Sequence, residues 1–340
     1  MERARSRSEK LLHEGKRNKM AKRPYFIWDY DINEEQVWEI LRGDNETRKV
    51  WLISRILQYA RWDDIWKYLT LDDVREYFDR IHWRFPFIKD IWAHALEVWS
   101  QDDGSRSVRE SPAFYGPARQ PQLVEGILTP LQQDFLVRFF AVPVGQRFWL
   151  TWGTALAAFY FHHRVSDDLD LFTLDEIALT AIIQPLHDIA AEIGCVLITT
   201  RLSDYFLQAV LTGEGSSLKL DLVRDVGPQF GEKHICNEIV VDSLDNIAVN
   251  KVTAILGRVD AKDFVDLYFI LQAGYDLKYL IAQAKQKDLG LTEFYLGHMM
   301  RRVTRLDTMP ELFEPLPLQT LQEFYLGLAD ELLRAASPPT

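Results

Sequence analysis

Two aspartates stand two apart in the stretch Arg164-Val-Ser166-Asp-Asp168-Leu-Asp170-Leu-Phe172. On a β-strand that spacing turns both carboxylates to one face and leaves Leu169 and Leu171 on the other. Carboxylates held side by side repel each other unless a cation lies between them. Hard oxygen ligands suit Mg²⁺, which keeps waters and binds substrate phosphates. Lys219-Leu-Asp221-Leu-Val223 repeats the alternation, with Lys219 and Asp221 facing one way and Leu218, Leu220 and Leu222 the other. A third carboxylate on a neighbouring strand completes a two-metal site, with Mn²⁺ as the other candidate ion. Such a site activates the attacking oxygen and stabilises the leaving oxygens of an in-line displacement. Farther on, Lys251 and Arg258 share a helical face if the helix reaches that far, and cations there suit a triphosphate. Lys262, Asp263 and Asp266 follow on the next helix, while Trp152-Gly153-Thr154-Ala155-Leu156 sets a small residue at the opening of an earlier one. Each feature alone is weak, because acidic strand edges and solvated helix faces are common. Their order and spacing together carry the reading. Cys195, Cys236 and His234 fit no zinc spacing.

These residues need a mixed scaffold. The spacing predicts helices over 129–141, 154–163 and 174–193, the last with Pro185 inside it, as a kink or a split. A short strand covers 168–172. Strands are expected at 196–200, 205–211 and 218–223, the last two joined as a hairpin through Thr212-Gly-Glu-Gly-Ser216, and a fourth at 235–241. Helices near 244–257, 261–273, 291–305 and 317–335 complete the chain. The fold class is therefore α+β. Its core lies over 123–243, followed by a C-terminal helical region over 244–336.

In front of this core the composition differs. Eight of the ten tryptophans lie between Trp28 and Trp99. Residues 24–99 read as a separate all-α domain, with Asp72-Asp73 expected to cap one of its helices. A domain this small needs large side chains to bury enough area, so the tryptophans are expected in its core; the alternative is a partner surface. Residues 100–122, rich in proline, glycine and polar side chains, read as a linker. Residues 1–23 carry nine Lys/Arg against three Glu and read as a basic, disordered tail or an RNA-contacting arm, with Met20 an alternative start.

The net charge of −11 argues against a protein coated in positive charge for nucleic acid, though not against a local basic patch. No run of about 18 apolar residues offers a membrane span. No secretory signal follows the basic start. The two cysteines suit a reducing cytoplasm.

Gly153-Thr-Ala-Leu156, His163-Arg164, Ser166 and Asp168-Leu-Asp170-Leu-Phe172 resemble the signature of the AbiEii/AbiGii toxin nucleotidyltransferases. Lys219-x-Asp221, the helical Lys251 and Lys262-Asp263-Phe-x-Asp266-Leu-Tyr resemble that family's later motifs. The resemblance covers about 145–275 and implies the polymerase-beta-like nucleotidyltransferase fold. It implies Mg²⁺-dependent transfer of a nucleotide from an NTP to an acceptor, by analogy the 3′ end of tRNA, in a toxin–antitoxin or abortive-infection system. Asp168, Asp170 and Asp221 would bind metal, Asp221 alternatively serving as the base. Lys251 would neutralise the triphosphate, and Asp266 would support the site. Gly153, Thr154, Arg164, Ser166, Lys219, Arg258, Lys262 and Asp263 would contact substrate. The family has a second glycine where this chain has Trp152. That departure sets the alternative reading, a catalytically weak homologue serving as a nucleotide- or RNA-binding regulatory module. A metal-independent structural protein is the remaining option. The front module resembles short bacterial proteins encoded beside such enzymes, which implies a fused, antitoxin-like domain, with a separate cognate antitoxin as the alternative.

Overall fold

A computed structural model of the chain describes residues 23–100 and 119–338. The expected basic tail, apart from Arg23, and most of the expected linker lie outside them. The described residues fall into two compact units, one within 1–103 together with 336–338 and one within 104–335.

In the first unit, helices α1 (Glu34–Arg42), α2 (Glu46–Tyr59), α3 (Trp62–Tyr68), α4 (Leu71–Tyr77) and α5 (Pro86–Ser100) surround a core that includes Ile27, Val37, Leu52, Ile56, Val74 and Trp92. The α4 cap is Thr70, not Asp72-Asp73: its side chain accepts from the Asp73 amide, and Asp73 reaches back to the Thr70 amide. This reciprocal pairing satisfies two amides at once, which an aspartate inside the first turn cannot do. Of the eight tryptophans here only Trp92 and Trp99 are buried, while Trp28 is 53% exposed. A large indole is seldom fully covered in so small a domain.

The second unit is built on one sheet. Its strands are β1 (Trp149–Thr151), β2 (Leu169–Thr173), β3 (Val196–Leu202), β4 (Phe206–Gly213), β5 (Ser216–Arg224), β6 (His234–Cys236) and β7 (Ile239–Val241). Their order is β3-β4-β5-β2-β1-β7-β6. The pairs β2–β5 and β1–β7 are parallel and the others antiparallel, so the sheet is mixed. Helix α6 (Pro130–Ala141) opens on a Thr129/Gln132 capping box with Pro130 in the first turn. Ser243 caps α10 (Leu244–Gly257), and Asp260 caps α11 (Ala261–Gln272). Helices α12 (Leu277–Lys287), α13 (Glu293–Arg301) and α14 (Leu318–Ala335) complete the unit.

Several expected elements take a different form. The Ala-rich helix begins at Trp152 as α7 (Trp152–Ala155), widens to π geometry over Leu156–Phe161 and ends at left-handed His162. The helix expected at 174–193 is split into α8 (Ala178–Ala181) and α9 (Ile183–Glu192). Pro185 then falls in the first turn of α9, where its missing N–H costs nothing. The expected strand 235–241 is the hairpin of β6 and β7, because Asn237 and Glu238 both take positive φ. Strand β1 and helix α12 were not legible, being a three-residue strand and a short helix in which lysine and glutamine fill nearly half the positions. Residues expected in the linker belong to this unit: the Gln122 amide donates to the Phe159 carbonyl at 2.9 Å, and the Arg119 guanidinium lies over Phe161.

Candidate active site

Pairing register builds the site. In β2 and β5, Asp170 lies opposite Asp221, and Gln208 of β4 lies opposite Asp221 on the other side. One step along the strands, Phe172, Val223 and Phe206 form a second row. A cleft of about 340 Å³ opens over this face. Asp168, Lys219 and Ser166 line it, as do Trp152, Gly153, Lys251, Arg258, Asp260, Lys262 and Asp263. Thus motifs that lie more than a hundred residues apart in sequence meet at one place.

Lys219 Nζ lies 2.8 Å from Asp221 and 3.3 Å from Asp168, so an ammonium sits between two of the carboxylates. The Gln208 amide donates to the other Asp221 oxygen at 2.8 Å. Burial pushes the Asp170 carboxyl up to about 7, and the Asp221 charge adds to the shift. Among the described residues no three His, Cys, Asp or Glu side chains converge as a ready-made metal cage. The donor set nevertheless fits a hard divalent cation. Crowded, partly desolvated carboxylates on adjacent strands are stabilised by such an ion, and no soft ligand competes.

The cations divide into two kinds. Arg164 and Lys251 are turned inward. Arg164 grips Asp266 with Nε at 2.7 Å and Nη2 at 2.8 Å. Lys251 Nζ bonds Asp263 at 2.9 Å and Asp266 at 2.7 Å, and is only 2% exposed. His163 Nε2 adds a 2.7 Å bond to Asp266. Burial pushes this imidazole down despite Asp266, so the neutral ring donates from Nε2. Burial alone would raise the Asp266 carboxyl, but Lys251 and Arg164 outweigh it and hold Asp266 well below the carboxylate range. Arg258 bonds Asp263 with Nε at 2.6 Å and remains 54% exposed, and Lys262 reaches Asp167 at 3.3 Å. Lys219, Arg258 and Lys262 are therefore the cations offered to the cleft.

Gly153 is required by this network. A Cβ there would lie 2.4 Å from Arg164 Nη2, which the Asp266 bond fixes in place. Thr154 bonds the Ser166 hydroxyl at 2.8 Å and the Asp168 carbonyl, tying α7 to the loop before β2. Trp152 takes φ +57°. The left-handed region costs an L-residue roughly 1–2 kcal/mol, which explains why glycine suits this position. The indole packs beneath Lys251 and Arg258, at 4.9 and 5.2 Å.

Sequence reasoning did not single out Phe206, Gln208 or Asp260. The period-2 alternation of β4, read against Lys219 and Asp221, was the available signal for the first two. Asp260 is a capping residue that also faces the cleft.

Carboxylates on adjacent strands, facing a wall of cations across a cleft, define a site built for phosphoryl chemistry. Residues 134–338, more than half of the chain, match the family model described as nucleotidyl transferase AbiEii toxin, type IV TA system. The chain belongs to that family and is a nucleotidyltransferase of the toxin class. No curated protein matches it. Among solved structures, JHP933 from Helicobacter pylori is similar at 17% identity, covering 61% of this chain and 90% of that one, with a TM-score of 0.40. MenT4, a nucleotidyltransferase toxin from Mycobacterium tuberculosis, is similar at 14% identity over 61% and 86%, with a TM-score of 0.36. Among the described residues no helix is long and apolar enough to cross a membrane.

Proposed function

We propose that this chain moves a nucleotide from an NTP to the 3′ end of an RNA acceptor, with tRNA the leading candidate, as the toxin of a cytoplasmic toxin–antitoxin or phage-defence system. The observation that carries the reading is the register that sets Asp170 beside Asp221, with Asp168 and Lys219 on the same cleft. Asp221, oriented by Gln208 and Lys219, accepts the proton of the attacking hydroxyl. The new bond joins that oxygen to the α-phosphorus, and the bond to the β-phosphate oxygen breaks with release of pyrophosphate. Arg258 and Lys262 hold the triphosphate, and Lys219 stands over the reacting phosphate. Lys251, Asp263 and Asp266, with Arg164, keep these groups in place from beneath. Ser166 and Thr154 fix the loop that carries Asp168. Asp168 and Asp170, with Asp221 as third ligand where it does not serve as the base, would hold Mg²⁺, or Mn²⁺ in its place, which would supply charge neutralisation at the reacting phosphate and the leaving pyrophosphate. The Trp-rich front module is read as an antitoxin-like regulator, or the cognate antitoxin is a separate chain.

A second reading, a nucleotide-binding module with weak catalysis, is favoured by Trp152 in a glycine position and by the ammonium between Asp168 and Asp221. Incubation with each labelled NTP, Mg²⁺ and total tRNA separates the two. Label is expected on tRNA with the natural chain and absent with Asp168→Ala and Asp170→Ala. No transfer under any NTP overturns the first reading, and Mg²⁺-dependent nucleotide binding without transfer supports the second. Transfer that survives both substitutions removes the site assignment.

A further inference from the structure

The cleft has a wall that phosphate and cation binding leave unexplained. Phe172, Val223 and Phe206 lie in one row across three strands. That row is about 7 Å along the strands from the Asp170–Asp221 row. The Trp152 ring centroid is 6.4 Å from that of Phe172, and all four side chains line the cleft. Trp152 is held there against its backbone preference, at φ +57°. Its indole N–H is buried with no hydrogen-bond partner. Glycine would fit this backbone and leave no orphaned donor, so the turn sets the conformation without calling for an indole. Strained residues of this kind cluster at active sites and ligand clamps. An apolar, π-faced wall one step from reacting carboxylates suits the planar base that a ribose places beside its phosphate.

We propose that Trp152, Phe172 and Phe206 form a stacking shelf for a nucleobase, that of the incoming NTP or that of the acceptor's terminal nucleotide. The inference rests on the cleft being the nucleotidyl-transfer site. The shelf gives the enzyme base contact through π faces, which every base offers, while the phosphates stay with Arg258 and Lys262.

The test is equilibrium binding to the full chain with Mg²⁺, using three probes: non-transferable α,β-methylene NTPs, a short single-stranded RNA, and tripolyphosphate, which lacks a base. Phe206→Ala is expected to weaken one of the first two by roughly 5- to 150-fold, the range for loss of a base-stacking ring. Phe206→Leu, which keeps apolar volume without a π face, should fall between, and Trp152→Gly should weaken the same probe while relieving backbone strain. Tripolyphosphate affinity should not change with either Phe206 variant. Loss confined to the NTP analogues assigns the shelf to the incoming nucleotide, and loss confined to RNA assigns it to the acceptor. Unchanged affinity for both, or an equal loss for tripolyphosphate, overturns the shelf. Absence of transfer by the natural chain would instead overturn the transfer reading, so the two failures are distinguishable.

Discussion

Asp266 shows what a single residue does when it is fully enclosed. It accepts from His163, Arg164 and Lys251, and none of these has solvent to turn to. Removing one partner of a buried ion pair leaves the others uncompensated, which typically destabilises by about 3–5 kcal/mol. Asp266→Asn should therefore lower the melting temperature strongly at neutral pH and loosen Lys251 and Arg164 beneath the cleft. The pH dependence follows from the depressed carboxyl. In the unfolded chain an aspartate titrates at about 3.9, whereas in the fold it stays ionised to lower pH. The stabilisation is thus present above that unfolded value and lost as pH falls below it toward the folded value. Melts of the natural chain and of Asp266→Asn should differ most at neutral pH and converge in acid. A gap that stays constant would show that the carboxylate charge contributes little.

Elements explain why these residues point where they do. Alternation on β2 and β5 is a local property, and parallel pairing then brings Asp170 beside Asp221 without further adjustment. Helix α7 follows β1 with almost no connector, which forces Trp152 into the left-handed region at the turn. The β6–β7 hairpin makes the same demand on Asn237 and Glu238, at φ 49° and 67°. Primed two-residue turns prefer Asn-Gly for this reason. Glu238→Gly should stabilise the fold by about 1 kcal/mol, read as a rise in melting temperature with no effect on nucleotide binding. A fall would mean that the Glu238 side chain contributes more than its backbone costs.

At the scale of the whole molecule, the chain consists of two units with separate interiors. The continuous core from Leu128 to Leu332 is drawn wholly from the second unit, and residues from Phe26 to Trp99 are buried in the first. A unit with its own core can fold alone. A fragment spanning 119–338 is expected to melt cooperatively and to bind NTP analogues as the full chain does. A fragment that fails to melt cooperatively would make the front module part of the folding unit. Transfer that rises on removing the front module would support a regulatory role, and unchanged transfer would count against it. The acidic surplus reads differently at this scale. Residues 24–105 hold 10 basic against 17 acidic side chains, a surplus that the nine Lys/Arg and three Glu of residues 1–23 nearly cancel, so most of the net charge of −11 lies in the transferase unit, where Lys219, Arg258 and Lys262 are a local basic patch at the cleft.

The sequence by itself was enough for the class of fold and for most of the charged residues that the fold gathers on one cleft. Strand alternation and helix spacing are local periodicities, and Asp168, Asp170, Asp221 and Lys219 reveal their common face through them. What it did not reveal is which cations face the substrate. Lys251 and Arg258 look alike along the chain, yet one is sealed between the Trp152 indole and the carboxylates of Asp263 and Asp266, and the other is half open to the cleft. Nor did it reveal the Phe172–Val223–Phe206 row, whose members come from three strands. Such distinctions depend on burial and on register between distant segments. Those quantities are set only when the sheet and helices pack, because desolvation and pairing, not residue type, decide whether a charge is structural or free.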